Sequence, residues 1–237
     1  MSDVLLLHAG IADTRMWGPQ LGPLGREHRV IAFDLPGFGS VALEPGRLSY
    51  VDYVAERLEA PAAVIGCSFG ASTGLELSVN RPELVEQLVL VAPALAGWDW
   101  SEGAQAGFAE EQEALERGDL GGAAAAQARM WLADDADEAV IVLVQEMTVR
   151  SYELQLPLED KVEVVWHEPR AATRLEDVRC PTLVVVGDQD VSDTLEIADL
   201  LATSIPGARK AVIEGSGHLP SLERPDELTR LLLDFLR

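Results

Sequence analysis

Short apolar runs rich in β-branched residues recur along the chain, at residues 4–7, 29–33, 62–65, 87–91, 182–186 and 208–213. Their apolar positions are consecutive rather than alternating, which is the pattern of strands buried on both faces of a parallel sheet. Stretches with helical period lie between most of them, at 50–59, 71–80, 193–204 and 224–236, and acidic residues near the start of the last two suit a helix N-terminus. Strand and helix in repeated succession predict right-handed crossovers and an α/β fold, with a doubly wound, mostly parallel sheet.

That rhythm stops between Pro93 and Arg179. Only 139–144 reads as a strand there, and ambiguously, whereas 110–117, 123–126 and 138–152 have helix-favouring composition. The stretch predicts a helical cap insertion at 95–179, with 1–94 and 180–237 forming the core. Gly121-Gly122, Asp134-Asp135 and Asp137-Glu138 mark turns inside it. No internal repeat is visible.

Composition narrows the classes. The 237 residues are 48% hydrophobic and 24% charged, enough for one substantial core. Forty acidic against eighteen basic residues give a net charge of −22, which repels phosphate backbones and anionic lipid, so neither nucleic acid nor a membrane surface is expected as partner. No apolar run approaches the ~18 residues of a membrane span, and the start has no basic lead-in of a signal peptide, so a cytoplasmic location is expected. Cys67 and Cys180 form no framework and no zinc spacing, and nothing calls for a metal or cofactor.

The sharpest chemical signal is Gly66-Cys67-Ser68-Phe69-Gly70, between a predicted strand and a predicted helix. A nucleophile on so tight a turn needs glycine on both sides, since side chains there would collide with the neighbouring strand and helix. The bland alternative is a glycine-rich turn with a capping serine. A serine hydroxyl needs a base, and of His8, His28, His167 and His218, the last sits after the final strand in Gly215-Ser216-Gly217-His218, where it can lean over the sheet's carboxyl edge. The acid that orients it should follow the strand at 182–186, which ends in Gly187-Asp188-Gln189-Asp190. Asp190 is favoured, and Asp188 reads as a turn residue bonded to its own backbone.

Taken together with His8-Ala9-Gly10 ahead of Trp17 and with Asp34-Leu35-Pro36-Gly37-Phe38-Gly39-Ser40, these motifs resemble the serine hydrolases of the α/β-hydrolase fold family over nearly the whole chain. The resemblance implies the triad Ser68, Asp190 and His218, Asp190 being the last position of a Gly-x-x-Asp turn. It also implies an oxyanion hole of two backbone N–H groups, those of Phe69 and of Gly10, with Ile11 the fallback for the second. It gives His8 the task of positioning the oxyanion loop, makes Asp34 a turn aspartate, and offers Asp99 as a rival acid. The family's N-terminal hairpin is absent, which would leave 29–33 at a sheet edge and predicts a homodimer or a covering segment.

The expected reaction is acyl transfer from a small carboxylic ester or lactone, with esterases and enol-lactonases the nearest resemblance within the family. Cofactor-free carbon–carbon bond hydrolase or perhydrolase chemistry uses the same triad, and a binding protein on this scaffold is the non-enzyme alternative. Ser68 where Asp would be needed excludes haloalkane dehalogenases and epoxide hydrolases. Trp98, Trp131 and Trp166 are the pocket candidates, and the negative surface favours neutral, compact substrates over long-chain lipids and carboxylates.

Overall fold

The computed structural model describes residues 3–237. Among the described residues eight strands run in chain order: β1 (Asp3–Leu7), β2 (Arg29–Ala32), β3 (Gly46–Leu48), β4 (Ala62–Cys67), β5 (Val85–Val91), β6 (Val162–Val164), β7 (Thr182–Gly187) and β8 (Arg209–Ile213). Six of them form one sheet in the order β2-β1-β4-β5-β7-β8, every pairing parallel. The helices are α1 (Gly18–Leu24), α2 (Tyr50–Ala55), α3 (Phe69–Asn80), α4 (Glu102–Glu116), α5 (Leu120–Trp131), α6 (Glu138–Gln155), α7 (Ser192–Ser204), α8 (Pro220–Glu223) and α9 (Pro225–Phe235).

Successive strand residues point to opposite faces, and both faces are covered, which is why the apolar runs do not alternate. Leu5, Leu7, Val64, Leu88 and Val184 enter one core, against residues of α2, α3 and α7 such as Val54, Leu75 and Ile197. Val4, Leu6, Ile65, Val89 and Val185 enter the other, against Leu24 of α1 and Leu228 and Leu232 of α9. The two helical layers make the sheet doubly wound. β2 and β8 are the edges, as expected for the strand at 29–33.

Between β5 and β7 the chain forms α4, α5 and α6, with α5 packed against both neighbours. The stretch at 139–144 lies inside α6, whose first turn is capped by Asp137 accepting from Ala139 N–H at 2.8 Å. β6 was not legible: it has three residues and pairs only with the equally short β3, apart from the main sheet. The helix expected over 224–236 is α9, with Pro225 in its first turn, and the one-turn α8 ahead of it was not expected. α1 went unseen because Pro19, Gly22 and Pro23 mask its pattern.

Candidate active site

The ends of β1, β4, β7 and β8 bring the chemistry-bearing residues to one edge of the sheet. Ser68 lies between β4 and α3 at φ +51°, ψ −109°, a left-handed backbone that costs a non-glycine residue ~1–3 kcal/mol. Its amide donates to Val91 O at 2.9 Å, so the turn is tied to the next strand. The glycines on either side are obligatory on steric grounds. A Cβ on Gly66 would strike the backbone of Gly70 and Ala71, and one on Gly70 would strike the carbonyls of Leu7 and His8. The Ser68 side chain makes no capping bond to α3, which removes the capping-serine alternative.

His218 and Asp190 meet in the buried interior of the same edge. The imidazole Nδ1 lies 2.8 and 3.0 Å from the two carboxylate oxygens of Asp190, and that carboxylate also accepts the Val191 N–H at 2.8 Å. With an ionised Asp190, Nδ1 carries the proton and Nε2 presents its lone pair. The loops are cross-linked by backbone, Gln189 N–H donating to Ser216 O at 2.9 Å. Asp188 is corrected: its Oδ1 accepts the Gly215 N–H at 2.7 Å, so it fastens the histidine loop rather than its own turn. The serine turn touches that loop too, through the Cys67 thiol, which donates to His218 O at 3.6 Å. Burial pushes the Cys67 thiol well above its ordinary range, with Asp190 and Glu223 adding to the shift, so it stays protonated. Asp99 is exposed, and the imidazole is paired with Asp190 instead.

Gly10 packs against Phe69: a Cβ built on Gly10 would sit 3.6 Å from that of Phe69. The two residues expected to supply oxyanion donors are therefore neighbours. His8 is fully buried, with Nδ1 donating to Ala9 O at 2.8 Å and Nε2 accepting the Leu35 N–H at 2.9 Å. Burial lowers its pKa, outweighing the bond to Ala9, so it is a neutral strut that ties β1 to the turn after β2. Asp34 bonds the amide and hydroxyl of both Thr14 and Ser40, clipping the loop after β1 to the same turn.

The tryptophans part company. Trp131, at the end of α5, stacks on the His218 ring with centroids 4.2 Å apart. Trp166 meets Phe69 edge-on at 6.2 Å and carries the Arg170 guanidinium on its face. Trp98 is committed elsewhere, its indole N–H donating to Asp193 at 3.2 Å. Tyr50 packs edge-on against Phe69 at 4.9 Å and lines a cavity of about 250 Å³ with Leu43, Leu115, Tyr152, Leu156 and Val164. Sequence reasoning missed Tyr50 and also Glu223, a buried carboxylate bonded to Gly217 and Leu219 N–H on either side of His218. Nothing in the pattern set Glu223 apart from the other acids.

A parallel doubly wound sheet with a strained serine between strand and helix, and a buried histidine–aspartate pair two loops away, defines a hydrolase scaffold. The chain belongs to the alpha/beta hydrolase family, whose sequence profile matches residues 4–231. It is 29% identical over 252 aligned positions to a pimeloyl-[acyl-carrier protein] methyl ester esterase of Aromatoleum aromaticum, covering 99% of this chain and 98% of that protein. Among solved structures, a thermophilic esterase from Thermogutta terrifontis superposes with a TM-score of 0.81 at 25% identity, over 100% of this chain and 90% of the other. The enol-lactonase from Burkholderia xenovorans LB400 shares the fold, with a TM-score of 0.80 at 22% identity over 99% and 91% of the two chains. No helix among the described residues is long and apolar enough to cross a membrane.

Proposed function

We propose that the protein is a serine hydrolase that cleaves small, neutral carboxylic esters or lactones through an acyl-enzyme. Ser68 Oγ attacks the substrate carbonyl while His218 Nε2 takes its proton. The tetrahedral oxyanion is met by the backbone N–H groups of Phe69 and Gly10, each worth ~3–4 kcal/mol to such an intermediate. His218 then returns the proton to the leaving alkoxide, and water, activated by the same nitrogen, hydrolyses the acyl-serine. Asp190 holds the imidazole with Nδ1 protonated and stabilises its cationic form without taking the proton.

The observation that carries this reading is the strained, uncapped Ser68 on a turn whose Cys67 thiol reaches His218 O, together with the buried His218–Asp190 pair. A receptor would have no use for a nucleophile held at a backbone cost. The preference for neutral substrates rests on the cavity beside Tyr50, whose lining is mainly apolar and whose one charged member is Glu159. A carboxylate-bearing substrate would meet a like charge there.

Labelling with a fluorophosphonate tests the chemistry. A mass shift on Ser68 is expected, and Ser68→Ala and His218→Ala should each lower kcat by roughly 10⁵–10⁶-fold, with little further loss when combined. Absence of an adduct, with turnover of every ester and lactone in a panel no faster than background, would return the chain to the binding-protein class. A higher kcat/KM for a carboxylated ester than for its neutral analogue would overturn the substrate preference alone.

A further inference from the structure

Glu223 on α8 is a buried carboxylate for which the reaction above has no task. Its Oε1 accepts the N–H of Ala133 at 2.7 Å and of Gly217 at 3.1 Å, and its Oε2 accepts the N–H of Leu219 at 2.9 Å and the Ser216 hydroxyl at 3.5 Å. Every partner is a donor, a set that an acceptor-only carboxylate satisfies and an amide does not. Gly217 and Leu219 flank His218, so the carboxylate fixes the peptide on both sides of the imidazole.

Ala133 belongs to a different region. It lies just past Trp131, the last residue of α5, and Trp131 makes its own contact with the histidine. The Trp131 carbonyl accepts the His218 N–H at 2.7 Å, and its indole lies against the imidazole with an interplanar angle of 36°. Gly217 has no room for a side chain because the backbone from Trp131 to Ala133 runs against it. A carboxylate needed only to shape the histidine loop could have bonded within that loop. Here one oxygen is shared between the loop and the segment after α5, and the aromatic ring it helps to seat covers the face of the base.

We propose that Glu223 and Trp131 act together as positioning residues, a clamp that sets the His218 ring and makes its placement depend on α5 being docked. This rests on the reading of His218 as general base. Asp190 fixes one edge of the ring, Trp131 its face, and Glu223 the peptide that bears it. Misplacement of a reacting group by ~1 Å can cost ~10²-fold in rate, so a clamp of this kind acts on kcat rather than on substrate binding.

The test uses Glu223→Gln and Trp131→Leu, singly and together, with a neutral p-nitrophenyl ester at a temperature where each is folded by circular dichroism. Each single variant should lose roughly 10- to 100-fold in kcat with KM within about twofold, and fluorophosphonate labelling of Ser68 should slow by the same factor. The double variant should lose little more than the worse single one, because the two groups serve one placement. Leu232→Ala, in the core under α9, provides a variant of lowered Tm whose kcat stays at the parent value, which separates positioning from loss of stability. Should Glu223→Gln not fold, Trp131→Leu carries the test by itself. A kcat within twofold of the parent in a folded single variant, or losses that multiply in the double, overturns the clamp. If His218→Ala itself retained turnover, the reading of the base would fail instead, and the two failures are thereby distinct.

Discussion

At the carboxyl edge of the sheet, the site residues are held largely by turn geometry: a strained serine on a turn that tolerates only glycine neighbours, and two loops cross-bonded from Gln189 N–H to Ser216 O and from Gly215 N–H to the Asp188 carboxylate. The helical segment between β5 and β7 is fastened differently. Three buried core carboxylates each capture a backbone N–H of that segment: Asp193 that of Ser101, Glu223 that of Ala133, and Glu76 that of Ala171. Arg170, which pairs with Glu76 at 2.6 Å, also covers Trp166, which packs on Phe69. The edge has one geometry built into its covalent turn chemistry, whereas the segment, beyond the apolar packing of Leu132, Val144 and Met147, is docked through a few discrete charged contacts that can be loosened one at a time. Part of the acidic excess is therefore structural and faces inward.

The contrast between the two regions is broken most severely at the acid. Asp190→Asn should lower kcat by ~10³–10⁴-fold with KM little changed, because an amide leaves the imidazole in the wrong tautomer. Asp188→Asn, which can still accept the Gly215 N–H, should stay within about tenfold of the parent. Steady-state kinetics on one ester measures both, and equal losses at the two positions would show that loop shape rather than tautomer control governs the site.

How legible the two regions were follows from the same difference. The six sheet strands and the residues now gathered at their ends stood out because each sits in a short motif whose glycines or chain order have a steric reason. Within the inserted segment, local pattern decided less. The run at 139–144 is apolar enough to pass for a strand, and only the Asp137 cap and the length of α6 make it helical. β3 and β6 are too short to carry a period. Glu76, Asp193 and Glu223 were invisible as tethers because their partners are backbone N–H groups far away in sequence, and sequence alone gives no sign of which acid is buried. Asp188 was misread for the same reason.

A smaller effect is expected at the turn itself. In Gly70→Ala the new Cβ meets the carbonyls of Leu7 and His8, so β1 or the start of α3 must shift. Overpacking of this kind costs ~1–3 kcal/mol, or roughly 2–4 °C in Tm per kcal/mol for a chain of this size. Because Phe69 is the adjoining residue, kcat should fall along with Tm. A Gly70→Ala variant with parental Tm and kcat would mean that the turn is far more compliant than its contacts imply.

The smallest expected effect is at a tether of the inserted segment, and it carries a pH signature. Burial pushes the Asp193 carboxyl up, but the hydroxyl and amide of Ser101 and the indole of Trp98 donate to it and together hold it below its usual 3.8. A carboxyl that ionises more readily when folded than when unfolded adds stability that is complete above the unfolded value and fades as pH falls through the folded one. Asp193→Asn keeps one acceptor oxygen but loses the charge, and should cost ~1–3 kcal/mol at neutral pH with kcat on a small ester changed less than about threefold, since no reacting group is touched. As pH falls below 3.8 the unfolded parent takes up the proton first and the folded one follows only at lower pH, so the Tm gap between parent and variant should narrow. Melting curves at neutral pH and near pH 3 decide it: a gap that stays constant across that range would mean that the segment's first tether is held by shape and hydrogen bonding alone, and the distinction drawn between charged docking and backbone turn chemistry would not extend to Asp193.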